Sequence, residues 1–128
     1  MIVVGTNETR EAIQQFTKAL LRLEEVLQRS PEDGIVIDAT IQRFEFTIEL
    51  CWKALKRKLA FEGVETTTPR SVLQQSFVFH WIDEEAIWLN MLRDRNLTSH
   101  TYREEQAKEI YARIPTYARA MRELLPKL

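Results

Sequence analysis

Cysteine is almost missing from this chain: its 128 residues contain a single one, Cys51. A lone thiol excludes an internal disulfide and a zinc site built on cysteines, and its expected role is that of a small buried apolar side chain. Glycine and proline are scarce, with three and four residues. That is too few turn formers for the many reversals of an all-β chain. Neither sign of charge dominates, since 18 Lys and Arg face 19 Asp and Glu for a net charge of −1. No global field therefore draws the chain to nucleic acid or a membrane, and any polyanion has to be held by local cations. No apolar run approaches the ~20 residues of a membrane span. The opening "MIVVGTNETR" lacks the basic start of a signal peptide. A glycine-rich phosphate loop, an Asp-x-Asp metal pair and a nucleophile elbow are missing as well. These absences lead to the expectation of a cytoplasmic protein with no membrane contact, no cofactor and no metal.

What is present is helical periodicity. A composition of 45% hydrophobic and 29% charged residues suits one globular domain over residues 1–128, able to bury roughly two-thirds of its unfolded surface. Ile13, Phe16, Leu20, Leu23 and Leu27 recur at spacings of three and four, one apolar stripe on a first helix with Asn7 as its N-cap. Pro31 and Gly34 punctuate its end. A long second stripe follows through Ile41, Phe44, Ile48, Cys51, Leu55 and Leu59. Phe46, Leu50 and Trp52 widen it, and Gly63 stands as a C′ stop. Thr68 and Pro69 open a short helix, whose end takes in "SFVFHWID". Phe77, Phe79 and Trp81 alternate like a strand there, but a lone strand would have nothing to pair with. Asp83 is the expected cap of "EEAIWLNMLRDRN", with acids in the first turn and Arg93 and Arg95 in the last. Thr101 and Glu104 form a capping box for the final helix. Its face is Ile110, Ile114, Tyr117, Met121 and Leu124, kinked rather than ended by Pro115. The expected fold is all-α, an antiparallel up-and-down four-helix bundle with an additional short helix.

The polar residues gather at the last helix–helix corner, "RDRNLTSHTY". Its capping box places His100 just outside the final helix and Tyr102 in the first turn, with Arg95 and Asn96 in the last turn of the preceding helix. A histidine there can move a proton near neutral pH, and an arginine can hold a phosphate. The same residues also suit a structural corner, with Arg95 capping carbonyls and His100 bonding a neighbouring backbone. Glu45 and Glu49 lie one turn apart on an otherwise apolar helix and need partners. Lys53 is the local candidate for a structural pair, and orienting an active-site cation is the other role. Lys53, Lys56, Arg57 and Lys58 make either a solvated, dipole-matched helix end or an RNA-contacting patch. His80, between Phe79 and Trp81, reads as a packed histidine at a surface or interface. Any activity built from these parts runs on arginine and histidine without metal, and RNA cleavage fits them best.

"RFEFTIELCWKALKRKL", "SVLQQSF" and "LRDRNLTSHTY" together resemble the nucleotidyltransferase substrate-binding proteins of the HEPN superfamily, over roughly Asn7 to Leu125. The resemblance implies a single HEPN-like helical domain that forms a homodimer, where the motif arginine and histidine meet as a metal-independent ribonuclease site. Here these are Arg95 and His100, with Asn96 as the polar residue after the arginine. Arg93, Lys53 and Arg57 are candidate RNA contacts beside them. In the toxin–antitoxin pairs of this type, a minimal nucleotidyltransferase encoded nearby transfers AMP to the tyrosine two residues after the histidine, here Tyr102. The alternative is a non-catalytic subunit that binds nucleotide or substrate for that partner enzyme.

Overall fold

The structure, a computed structural model, describes residues 2–32, 34–100 and 103–128, with side chains for 7–32, 34–98 and 103–128. Five helices follow one another: α1 (Ile2–Leu27), α2 (Gly34–Phe61), α3 (Pro69–Val78), α4 (Glu85–His100) and α5 (Glu104–Leu124). A 3₁₀ turn, Leu125–Lys127, ends the chain. Among the described residues there is no strand, and no helix is long and apolar enough to cross a membrane. The expected all-α bundle is what forms.

The apolar stripes became the core. Phe16, Leu20 and Leu23 of α1 are fully buried, as are Phe44, Cys51, Leu55 and Leu59 of α2. They join Leu73, Met91, Ile110, Ile114 and Met121 in one cluster that draws on every helix. α2 packs against each of the other four helices, and α1 and α4 also meet α5. Two buried threonines soften the cost of hydroxyls inside α2. Thr40 donates to the Val36 carbonyl at 2.7 Å. Thr47 donates to Arg43 O at 2.6 Å and reaches Ala19 O at 3.3 Å, linking α2 to α1. Phe46 does not widen the buried face: it is 63% exposed. It projects beside Thr47 at the α1–α2 seam, on the rim of an open hollow lined also by Ala19, Ala39 and Arg43.

Helix ends follow local chemistry, with three departures from expectation. Asn7 lies inside α1 and not at its start, because nothing from Ile2 onward except Gly5 opposes helix, and one glycine costs only about 1 kcal/mol. The α2 stop is as expected: Gly63 sits at φ 87°. Gly63 N–H donates to Ala60 O at 2.9 Å and Val64 N–H to Leu59 O at 2.8 Å, the paired bonds of a Schellman turn. Thr68 and Ser71 close a capping box at α3, with Pro69 in its first turn. α3 then ends in a second Schellman turn, through His80 N–H to Phe77 O and Trp81 N–H to Ser76 O, both 3.0 Å. Here His80 takes the left-handed position at φ 63°. It is exposed, so the histidine expected at a surface or interface lies at the surface of this chain, where it serves as a turn residue. The second departure is at α4, which begins at Glu85. Glu84 O accepts its first backbone bonds, and Asp83 pairs with Lys127 at 3.1 Å instead of capping.

The third departure concerns the corner itself. α4 does not end near Asn96 but runs on through His100, since the residues after Asn96 include no glycine or proline to stop it. Thr98 fits inside by donating to Arg95 O at 2.8 Å. α5 starts at Glu104 with Arg103 in the cap position and no side-chain cap bond. The expected Thr101–Glu104 box therefore does not define the start, and Thr101 itself lies outside the described residues. Pro115 stays within α5 at the cost of one backbone bond, to Tyr111 O.

Candidate functional site

α4 and α2 meet where Arg95 faces Glu49. The Arg95 Nη2 and Glu49 Oε1 atoms form an ion pair. The guanidinium carbon lies 5.6 Å from the centre of the Trp52 ring, within the ~6 Å at which a cation is drawn to an aromatic face. Nη1 reaches Asn96 Oδ1 at 3.5 Å. Trp52 is 8% exposed, so it forms a fixed wall, whereas the side chains of Arg95 and Glu49 are 29% and 43% exposed. A pair that wet contributes roughly 0–1 kcal/mol. An incoming anion can therefore compete with Glu49 for the guanidinium without dismantling the fold.

One residue away, Asp94 is fully buried. Arg113 of α5 grips it with two bonds, Nε to Oδ2 at 2.7 Å and Nη2 to Oδ1 at 2.9 Å. The Tyr117 hydroxyl donates to Oδ2 as well, and its ring stacks on Phe44 of α2 at 5.5 Å. Hydrogen bonding to Asp94 raises the Arg113 guanidinium above its usual range. Burial, followed by the bond to Asp94, pushes the Tyr117 phenol up to about 12. Three helices are tied together at this point.

The structure thus brings Arg95, Asn96 and Glu49 together and adds Trp52. Glu49 pairs with Arg95, 46 residues away, and not with Lys53, which points to water. Lys53 lies one turn on from Glu49 and is exposed, while Glu49 is half-buried where α2 meets α4. Glu45 is half-buried one turn earlier. Lys53, Lys56, Arg57 and Arg93 are exposed; Arg57 Nη1 lies 3.5 Å from Glu8 O, and Lys58 covers the Trp81 ring at 5.2 Å. His100 closes α4, but its side chain and the whole of Tyr102 lie outside the described residues. Five residues of helix separate positions 95 and 100, about 140° of rotation and about 7.5 Å of rise, whereas 96 and 100 lie only about 40° apart. The Asp94–Arg113–Tyr117 group went unnoticed in the sequence. Its signal is nonetheless there: Trp88, Met91 and Asp94 step by three along one stripe, so a carboxylate occupies a core position, and Arg113 and Tyr117 share a face at a spacing of four.

Known proteins place this geometry in context. A crystal structure of a protein from Thermus thermophilus superposes with a TM-score of 0.82 and 38% identity, covering 88% of this chain and 97% of that one. A curated relative from Haemophilus influenzae strain Rd, named probable ribonuclease HepT, is 32% identical over 96 residues, 71% of this chain. That match spans 66% of the relative's own length, just under two-thirds. Residues 11–128 match the model of the family described as nucleotidyltransferase substrate binding protein like. That match takes in all but the first ten residues, and with it the chain belongs to the nucleotidyltransferase substrate-binding protein family.

Proposed function

We propose that this chain is a HEPN-type metal-independent ribonuclease, the toxin of a pair whose minimal nucleotidyltransferase neutralises it by AMP transfer. One observation carries the reading: Arg95 is held between Glu49 and the Trp52 ring, on the same continuous helix as Asn96 and His100. The ribonuclease name of the Haemophilus influenzae relative supports it. In this reading Glu49 and Trp52 hold the guanidinium until a phosphate of RNA replaces the carboxylate. His100 takes the proton of a ribose 2′-hydroxyl. The 2′-oxygen then attacks the neighbouring phosphorus, and the P–O5′ bond breaks as the 5′-oxygen leaves and is protonated. The products are a 2′,3′-cyclic phosphate and a free 5′-hydroxyl. Arg95 neutralises the charge that builds on the phosphoryl oxygens, and Asn96 orients the reacting groups.

The angle between positions 95 and 100 on one helix favours a homodimer, in which two α4 ends face each other and the residues of both copies surround one phosphate. It also concentrates cations that a chain of net charge −1 otherwise lacks. Lys53, Arg57 and Arg93 are exposed, and in this reading they are the candidates for holding flanking phosphates. AMP on Tyr102 would add bulk and negative charge beside the phosphate site and so block RNA by clash and repulsion.

Expression of the chain alone, next to His100→Ala, tests the activity. The wild type should cleave cellular RNA and slow growth while the variant does neither; equal behaviour without cleavage ends the ribonuclease reading. Incubation with the partner enzyme and ATP should add one AMP at Tyr102 by mass spectrometry, and an unmodified Tyr102 ends the proposed control. The family description itself favours a second reading. In it the chain is a non-catalytic subunit that presents nucleotide or substrate to the partner enzyme, and His100→Ala changes binding but no cleavage exists to lose.

A further inference from the structure

α4 carries the proposed site, yet its second half has little apolar anchorage. Trp88 and Met91 are buried in the first half. Beyond Met91 the one fully buried side chain among the described residues is Asp94, with Leu92, Leu97 and Thr98 half-buried and Arg93 and Asn96 exposed. Apolar contacts alone leave rotation about the helix axis weakly determined there. Asp94 removes that freedom, because two directional bonds from Arg113 and one from Tyr117 accept only one angular setting of its carboxylate. Tyr117 is itself fixed by its stack on Phe44 of α2, the helix that supplies Glu49 and Trp52. The network therefore registers α4 against both helices one residue before Arg95.

We infer that Asp94, Arg113 and Tyr117 are positioning residues for Arg95, a role that rests on the ribonuclease reading above. The leverage is geometric. A rotation of α4 by about 20° moves a side-chain tip, about 5–6 Å from the axis, by about 2 Å. A misplacement of about 1 Å at a reacting group can cost about a hundredfold in rate. The chemistry of the position points the same way. A buried ion pair can often be exchanged for apolar groups of similar volume without loss of stability. Cohesion therefore does not require a carboxylate on the core stripe, whereas a fixed angular setting does.

The test separates positioning from folding. In the variant Asp94→Leu, Arg113→Met, Tyr117→Phe the network is replaced by apolar side chains. It should still melt cooperatively, with KM for an RNA oligonucleotide nearly unchanged and kcat reduced by about tenfold or more. Wild-type kcat in that folded variant overturns the inference. Should the triple variant fail to fold, Tyr117→Phe alone decides, since it keeps the ring on Phe44 and removes one directional bond. A severalfold fall in kcat at constant KM supports positioning, and unchanged kcat rejects it. A second readout needs no activity: the Arg95 Nε–H signal in ¹H–¹⁵N spectra, assigned through Arg95→Lys. A shifted or broadened signal in the network variants supports the inference and an unmoved one overturns it. Absence of cleavage by the wild type would sink the ribonuclease reading and leave this spectroscopic result to stand alone.

Discussion

Asp94 and Arg95 are consecutive on α4, and each makes an ion pair with a neighbouring helix, but the two pairs live in different media. Asp94 is wholly buried against an Arg113 that is 38% exposed. Arg95 and Glu49 are 29% and 43% exposed. A buried carboxylate with three donors cannot change partners, because leaving it unpaired in the core would cost several kcal/mol. A pair in which both side chains still reach water can change partners, because such a pairing contributes little to begin with. One turn of helix thus places a joint next to a contact that can be exchanged, and only the second is suited to receive a substrate.

The contrast can be broken from the strong side first. Asp94→Ala should lower unfolding stability by about 3 kcal/mol, read by chemical denaturation, while Glu49→Ala stays within about 1 kcal/mol of the wild type. Equal losses would mean that both pairs are structural. Tyr117→Phe should cost about 1 kcal/mol and should also change the response to alkali. The Tyr117 phenol titrates about 12 in the folded protein, against an ordinary value of 10.0. The folded state therefore keeps a proton that the unfolded chain releases. The stability tied to this group is complete below pH 10 and is lost as pH rises toward 12. Denaturant midpoints measured across that window should fall faster for the wild type than for Tyr117→Phe. The smallest effect on stability, below about 1 kcal/mol, belongs to Glu49→Gln. It keeps a hydrogen-bond acceptor for Arg95 but removes the competing charge. Binding of a short RNA oligonucleotide at fixed salt should tighten by about fivefold, the equivalent of about 1 kcal/mol. Weaker binding would show that the negative charge of Glu49 helps to hold Arg95 in the receiving pose.

Much of this was legible before any coordinates. The stripes through Phe16, Leu20 and Leu23 and through Phe44, Ile48 and Cys51 are core, because period alone reports a helix face. Gly63 and Thr68 announced their turns because each residue type has a conformation or a side-chain bond that the turn requires. His80 did not, because histidine, although more tolerant of a left-handed backbone than most side chains, takes it too seldom to mark a turn as glycine does. The corner was misplaced for a related reason. Thr101 and Glu104 have the spacing of a capping box, but continuation of α4 through Leu97 and Thr98 costs less than stopping it, and a four-residue pattern cannot weigh that. Arg95, Asn96, Glu45 and Glu49 stood out as polar residues on helices. The pairing of Glu49 across 46 residues did not, since only packing of α2 against α4 decides which carboxylate an arginine meets. The Asp94 network was hidden among more conspicuous neighbours, although a carboxylate on the Trp88–Met91 stripe asks for partners by itself.

Cys51 gives the chain a property of practical use. It is fully buried at the middle of α2, and burial pushes its thiol well above the ordinary range, so the nucleophilic thiolate is scarce while the bundle is closed. With no other cysteine in the sequence, a thiol reagent added to the native protein has one target, and that target is out of reach. Labelling then runs only as fast as the bundle opens. Each variant described above carries its own clock, and the rate of dye uptake at Cys51 reads the opening of the core directly, independent of any activity at the other side of α2.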